Sequence, residues 1–146
     1  MKTVVFIGHS ECYELPVKQL EKEIEKCIKQ GVTTFFSGGQ GDFDRLSAGT
    51  VYRLKEKYPY IKNILVIPYL SFRVFNDKIF DEIVYPEGFE KYYFKAAIIE
   101  RNKYMVSHSD TAICYINHNW GGAIRTYKYA RKCDLKIVNL AVYDYE

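Results

Sequence analysis

Four loops of this sequence carry residue types that could bind an anion. Each follows an apolar run, and three of the four contain glycine: Gly8-His9-Ser10, Ser37 to Asp44, Pro68-Tyr69-Leu70 and Asn117 to Gly122. Glycines that precede a helix can turn their N–H groups toward a phosphate, and the positive end of the helix adds to the attraction. We therefore predict that backbone amides of these loops bind a negatively charged small molecule.

The loop containing Gly38, Gly39 and Gly41 is the first candidate phosphate site, and Asp42 and Asp44 follow it. It has neither the Lys-Ser/Thr of a Walker A loop nor the GxGxxG pattern of dinucleotide-binding turns. Because carboxylates repel phosphate, the two aspartates are better suited to accept hydrogen bonds from ribose hydroxyls. The alternative is a tight strand-to-helix turn in which Asp42 is the helix N-cap.

The sequence INHNWGGAIR contains the second candidate site. Asn119 and Trp120 precede Gly121 and Gly122, and a helix is predicted to follow, with Arg125 in its first turn. An anion at this terminus would meet free N–H groups and a guanidinium. Trp120 would stack on a base; alternatively, its ring packs over the glycines as a hydrophobic plug.

A polar run, Glu100-Arg101-Asn102, lies on a predicted helix before the fourth predicted strand. Arg101 and Asn102 need polar partners, so they either contact the ligand or form part of a solvated helix face. Glu100 adds a carboxylate to this face. We therefore include all three side chains among the candidate site residues.

Two of the three histidines, His9 and His118, follow predicted strands and are expected to lie near each other. His9 could act as a general base or as a phosphate donor. The sequence has no HxH, HExxH or CxxC spacing and no acidic residue at ligand spacing from a histidine. We therefore predict neither a metal site nor a bound cofactor.

Strand and helix patterns alternate along the whole chain, which is typical of an α/β fold. The predicted strands are 3–7, 32–36, 61–67, 111–116 and 136–141, and the predicted helices are 15–30, 42–58, 93–108 and 123–132. We expect one Rossmann-like domain over residues 1–146, with a mostly parallel five-stranded sheet and helices on both faces. Ligands of such sheets bind beyond the carboxyl ends of the strands. Residues 70–93 are irregular and aromatic and could form a lid or an interface.

Composition argues against several classes of function. The formal net charge is +3, from 21 basic and 18 acidic residues, which is too mild to favour nucleic acid as a partner. The chain has neither an apolar run of membrane-spanning length nor the pattern of a signal peptide, so we expect a cytoplasmic protein without membrane contact. The aromatic segment favours a homo-oligomer.

Three stretches together resemble the SLOG superfamily, which groups the DNA-uptake Smf proteins with the Lonely-guy cytokinin-activating phosphoribohydrolases. They are VVFIGHS, FFSGGQGDFDRL and IIERNKYMVSHSDTAICYINHNWGGAIRT, and the similarity runs from Thr3 to Ala141. The resemblance is strongest to small uncharacterised bacterial and phage members that begin with Phe-x-Gly-His-Arg. In this chain Ser10 stands where those relatives have the arginine.

The resemblance implies a Rossmann-like fold that binds a nucleotide or a nucleotide-derived molecule. Members of the superfamily also sense or sequester NAD-derived signals, such as cyclic ADP-ribose variants in antiviral defence. The resemblance thus implies a sensor or a sequestering protein, with a role in phage or bacterial defence signalling.

An enzyme is the alternative that the resemblance leaves open. Lonely-guy enzymes have an Arg-Lys pair before the fourth strand and a PGGxGTxxE motif after it. Here Arg101 matches the arginine and Gly121-Gly122 match the glycine pair, whereas the glutamate would fall at Tyr127 or Lys128. Cleavage of a nucleoside monophosphate at its N-glycosidic bond would then need a carboxylate from Asp42, Asp44 or Glu100.

Overall fold

A single six-stranded sheet organises residues 2–143, the part of the chain that the computed structural model describes. The strand order is β4-β3-β2-β1-β5-β6, and every neighbouring pair is parallel. The strands are β1 Lys2–Gly8, β2 Val32–Ser37, β3 Lys62–Val66, β4 Glu82–Val84, β5 Thr111–Tyr115 and β6 Lys136–Asn139. The α/β Rossmann-like prediction is confirmed. The predicted parallel arrangement is confirmed, whereas the predicted count of five strands is too low, because the described sheet has six.

Helices cover both faces of the sheet, as predicted. They are α1 Val17–Lys29, α2 Asp42–Leu54, α3 Phe94–Ser107 and α4 Gly122–Lys132. Alternate residues of β1 point to opposite faces. Val4 and Phe6 pack with residues of α1 and α2, whereas Val5 and Ile7 pack with residues of α3 and α4. The central strand is therefore buried on both sides, which explains its continuous apolar run.

The missed strand, β4, lies at the edge of the sheet and is only three residues long. Its sequence gives little strand signal, because a charged residue and only two apolar ones form it, and in the structure only Val84 packs against the core. Parallel main-chain pairing with β3 holds the strand in place, and polar contacts at its start add to it. The Asn63 main-chain N–H donates to the Asp81 carboxylate at 2.7 Å, and Lys62 pairs with Glu82 at 3.3 Å.

The aromatic segment 70–93 contains β4 and two single 3-10 turns, Asp77–Ile79 and Phe89–Lys91. Its rings partly pack on one another, as Phe89 does on Tyr92 at a centroid distance of 5.2 Å. Tyr93, at the end of the segment, is 90% exposed. Whether the segment acts as a lid or as an interface stays a prediction. The domain prediction over residues 1–146 also includes residues 1 and 144–146, which lie outside the described part.

Candidate functional site

The candidate site lies where β1 and β5 run side by side in the middle of the sheet. The chain leaves β1 toward β2 on one side, whereas β5 and β6 lie on the other, so a crevice opens at the carboxyl ends of these strands. A cavity of about 640 Å³ fills this crevice and is lined by residues 9–14 and by parts of 115–123. We call it the large cavity. A small cavity of about 190 Å³ adjoins it and shares Ser10, Gly122 and Ala123 with it.

The N-terminus of α4 faces these cavities with its backbone exposed. Gly121 has φ +93°, a conformation that favours glycine, and a Cβ placed on Gly121 or Gly122 would meet no atom within 4 Å. The helix has neither a side-chain cap nor an acidic residue in its first turn, and Arg125 is exposed there. The first N–H groups of a helix lack intrahelical partners. This terminus is therefore electropositive and open to an anion.

Trp120 belongs to a stack of three rings that forms one wall of the large cavity. His9 and His118 stack at a centroid distance of 3.5 Å, which confirms that the two histidines lie together, and Trp120 stacks on His118 at 3.8 Å. The indole is 67% exposed and no atom of it lies within 4 Å of a Cβ placed on Gly122. The plug interpretation is therefore wrong, and an indole surface is available for a flat ligand ring.

His9 is the buried end of this stack. The Asn117 N–H donates to His9 Nε2 at 3.1 Å, so this nitrogen is the unprotonated one in the ring. Burial, and secondarily His118, lower the pKa of His9 to about 4. The ring is thus neutral at physiological pH, and it packs against His118 at the buried end of the stack. Its role as a base or phosphate donor stays a prediction.

The loop after β2, which contains Gly38, Gly39 and Gly41, packs closely against other parts of the protein. A Cβ on Gly41, whose φ is +90°, would lie 2.4 Å from the Ser10 Cα. The Asp42 N–H donates to the Ser10 carbonyl at 2.8 Å. Gly41, and not Asp42, is the N-cap residue of α2, so the expectation of an Asp42 cap is wrong. Close packing against the loop after β1 accounts for this glycine, and phosphate binding at Gly38 and Gly39 stays a prediction.

Arg101 is 1% exposed and is the largest fully buried side chain of the described residues. Its guanidinium donates to the carbonyls of Gly38 at 2.8 Å and Val66 at 3.0 Å, and also to the side chains of Gln40 and Asn102. These bonds join the ends of β2 and β3 to α3. Most of the guanidinium donors therefore bind protein, although Arg101 also lines the small cavity.

Asp44 is the one of the three candidate catalytic carboxylates that lines the small cavity. It is 9% exposed, and burial raises its pKa to about 6 although the Gln40 N–H and nearby Arg101 oppose the shift. Asp42 instead accepts the Cys12 N–H at 2.9 Å. Glu100 lines neither cavity and lies 3.8 Å from Lys103 Nζ.

The remaining predicted site residues divide between the cavities and their surroundings. Gly8 and Asn102 line the small cavity, and Asn119 is exposed but lines neither cavity. Sequence reasoning missed Glu11 and Glu14, which line the large cavity on the loop after β1. Their position just beyond Gly8-His9-Ser10 was the available signal. These carboxylates could accept hydrogen bonds from sugar hydroxyls.

Comparison with known families agrees with this architecture. The YpsA model, described as the YspA SLOG family, matches residues 4–137. The chain belongs to this SLOG family. It is also 28% identical to the uncharacterised SPbeta prophage-derived protein YoqJ of Bacillus subtilis (strain 168), in an alignment that covers 75% of this chain and 76% of that protein.

Solved structures with the same fold include two DNA processing A proteins. The protein from Helicobacter pylori, whose structure concerns its single-stranded DNA binding mode, superposes with a TM-score of 0.65 at 17% identity over 93% of this chain. The protein from Streptococcus pneumoniae gives 0.68 at 16% identity over 99%. The chain spans 63% and 51% of their lengths, respectively. At this identity the likeness concerns the fold.

Residues 2–143 contain no group of three or more His, Cys, Asp and Glu side chains arranged to hold a metal ion. None of the helices in this range combines the length and the apolar character that a membrane span requires.

Proposed function

We propose that the protein binds a nucleotide or a nucleotide-derived signal in the crevice between β1 and β5, as a sensor or a sequestering protein. The observation that carries the proposal is the open N-terminus of α4, which lies between an exposed indole and a buried carboxylate. Such a terminus attracts phosphate through its amides and its dipole. Membership in a SLOG family supports a ligand of this class.

Each part of a nucleotide has a suitable partner at the crevice. The phosphate would lie at the amides of Gly122 and Ala123, with Arg125 as its charge partner. The base would stack on the free face of Trp120, a contact worth about 1–3 kcal/mol. The ribose would face the carboxylates of Glu11 or Glu14 on the opposite loop.

Trp120 provides a direct test, because it is the only tryptophan in the chain. We expect that AMP and other mononucleotides quench its fluorescence in a saturable manner. By calorimetry, Trp120→Ala should weaken binding by about 1–3 kcal/mol, and Arg125→Met by about 1.5–3 kcal/mol. Arg73→Met is the control, since Arg73 is exposed and lines neither cavity. Equal affinity in all variants would contradict the proposal.

Asp44 supports a second candidate function, an N-glycosidase that cleaves nucleoside monophosphates. A carboxyl group with a pKa of about 6 beside the cavity suits proton transfer near neutral pH. Incubation with nucleoside monophosphates should then release free base, and Asp44→Asn should abolish the release. Retention of intact ligand by the unmodified protein would instead leave binding as the function.

Nucleic acid is the third candidate, because a protein with the same fold binds single-stranded DNA. The net charge of +3 argues against it, so its absence as a partner stays a prediction. Fluorescence anisotropy with labelled oligothymidylates would decide the matter. Binding that falls steeply with salt concentration would favour DNA over a small nucleotide.

A further inference from the structure

A third cavity extends from the candidate site along the groove between α3 and α4. Its volume is about 220 Å³, and it shares four residues with the small cavity: Ile98, Asn102, Gly122 and Thr126. Gly122 also lines the large cavity. The open N-terminus of α4 is therefore the meeting point of three cavities, with the ring stack on one side and this groove on the other.

The groove combines an apolar surface with a basic rim. Ile98, Ile99 and the ring of Tyr129 supply the apolar part, whereas the cationic side chains are Lys95, Lys103 and Arg125. No acidic residue lines the groove. Among the described residues, the recorded ion pairs include only one of the three cations, Lys103, which lies 3.8 Å from Glu100 with both side chains partly exposed. Lys103 Nζ also lies 5.6 Å from the centre of the Tyr129 ring, so the apolar surface open to a flat ring consists mainly of Ile98 and Ile99, and excess positive charge borders it.

We propose that the groove holds a second ring system of the ligand, so that the ligand is a dinucleotide whose linking phosphates lie at the start of α4. This inference rests on the proposed function, because it uses the same phosphate position. A mononucleotide with its base on Trp120 leaves the groove empty and makes no contact with Ile99 or Lys95. A dinucleotide with its linking phosphates at the start of α4 fills the groove as well, and its second nucleoside contacts Ile99 and Lys95.

A titration series separates the contribution of the groove from that of the phosphates. Calorimetry would compare AMP and ADP with two dinucleotides, NAD and pApA. ADP adds a phosphate without a second nucleoside, so its affinity should stay within a few-fold of that of AMP. At least one dinucleotide should bind ten times or more tightly than ADP.

A groove-filling variant, Ile99→Trp, assigns that gain to the groove. Ile99 lines the groove but not the other two cavities, so AMP binding should be unchanged and should also report a folded protein. Dinucleotide affinity should fall at least tenfold, to the level of ADP. Lys95→Met, which adds no bulk, should lower dinucleotide affinity several-fold and leave AMP unchanged.

The outcomes distinguish failure of this inference from failure of the proposed function. Equal binding of AMP and both dinucleotides, or a dinucleotide preference that survives Ile99→Trp, overturns the inference and leaves the proposed function intact. Affinity that keeps rising for oligonucleotides longer than two nucleotides also overturns it, in favour of a nucleic-acid strand. If none of the probes binds, both proposals fail.

Discussion

At the scale of single residues, Arg101 supports the site mainly through hydrogen bonds to protein groups and not through contact with the ligand. The resemblance marks this position as part of the site, and the sequence shows that it needs polar partners. Most of its donors are used by the ends of β2 and β3. We infer that its main contribution is to hold the glycine loop and Asp44 in place.

Removal of Arg101 should therefore damage the fold itself. Arg101→Met leaves two buried carbonyls without their donor and Asp44 without its nearby cation, so we expect a loss of about 3–5 kcal/mol in the free energy of unfolding. Denaturant unfolding measures this loss. The matched control is Arg125→Met, which changes an exposed guanidinium and should stay within about 0.5 kcal/mol of the unmodified protein. Equal stability of both variants would contradict the structural role of Arg101.

Asp44 should make stability depend on pH in the direction opposite to most carboxylates. Its pKa is raised from 3.8 to about 6, so between these values the folded state binds more protons than the unfolded state. Stability from this group is present below about pH 4 and is lost as pH rises through 6. Relative to the unmodified protein, Asp44→Asn should gain up to ~3 kcal/mol between pH 4 and pH 7. A constant difference across this range would refute the assignment.

His9 acts in the same pH range with the opposite sign, which is why the comparison with Asp44→Asn is needed. Its pKa is lowered from 6.5 to about 4, so the unfolded state binds more protons in this interval. Stability from His9 is present above about pH 6.5 and is lost as pH falls toward 4. The two effects partly cancel in the unmodified protein, and the pH profile of the variant separates them.

At the scale of elements, the two helices that begin after glycine differ in what surrounds their first residues. The start of α2 is packed against the loop after β1, whereas the start of α4 faces open space. Sequence patterns alone do not reveal this difference, because in both cases an apolar strand is followed by a glycine-containing loop and then by a helix.

Two alanine substitutions test the contrast between these helix starts. Gly41→Ala combines a φ of +90° with a Cβ 2.4 Å from the Ser10 Cα, so it should destabilise the protein by about 2 kcal/mol or more. Gly122→Ala meets no atom and should change stability by less than about 0.5 kcal/mol. Thermal unfolding of the two variants would measure both effects. Comparable melting temperatures would argue against the packed start of α2.

The elements themselves were largely predictable from apolar runs and helical spacing. Every predicted strand and helix is present, with ends that differ by a few residues, such as α2 ending at Leu54 instead of Tyr58. β4 was missed because its apolar run, Ile83-Val84, is too short to indicate a strand. It was predictable that the loops after the strands lie along one edge of the sheet, because parallel strands all end at the same edge. The contacts of Gly41 and Arg101 could not be predicted, since most of their partners lie far away along the chain.

At the scale of the whole molecule, the four cysteines report on how the fold protects its interior. All four are free in the described structure. Cys27 and Cys114 lie in the two cores, on opposite faces of the sheet, and burial raises the pKa of each thiol. Cys12 is half-buried, with its pKa raised to about 11 by burial and, secondarily, by Asp42 and Asp44.

Thiol labelling under native conditions should follow this order of protection. The exposed Cys133 should react first, and Cys12 should react much more slowly because little of it is thiolate at neutral pH. Cys27 and Cys114 should react only as fast as the protein opens globally. Mass spectrometry of a labelling time course measures the four rates. Early modification of Cys114 would contradict the core assigned to β5.

The two border strands of the sheet are also its shortest, with three residues in β4 and four in β6. Unpaired peptide groups at a sheet border are templates for the addition of a strand from another molecule. Each border strand has few such groups, and each carries a charged residue, Glu82 in β4 and Lys136 in β6. Extension of the sheet from one copy to the next is thereby disfavoured. We therefore expect any self-association of this protein to use its helical faces and not to add strands that would grow into fibres.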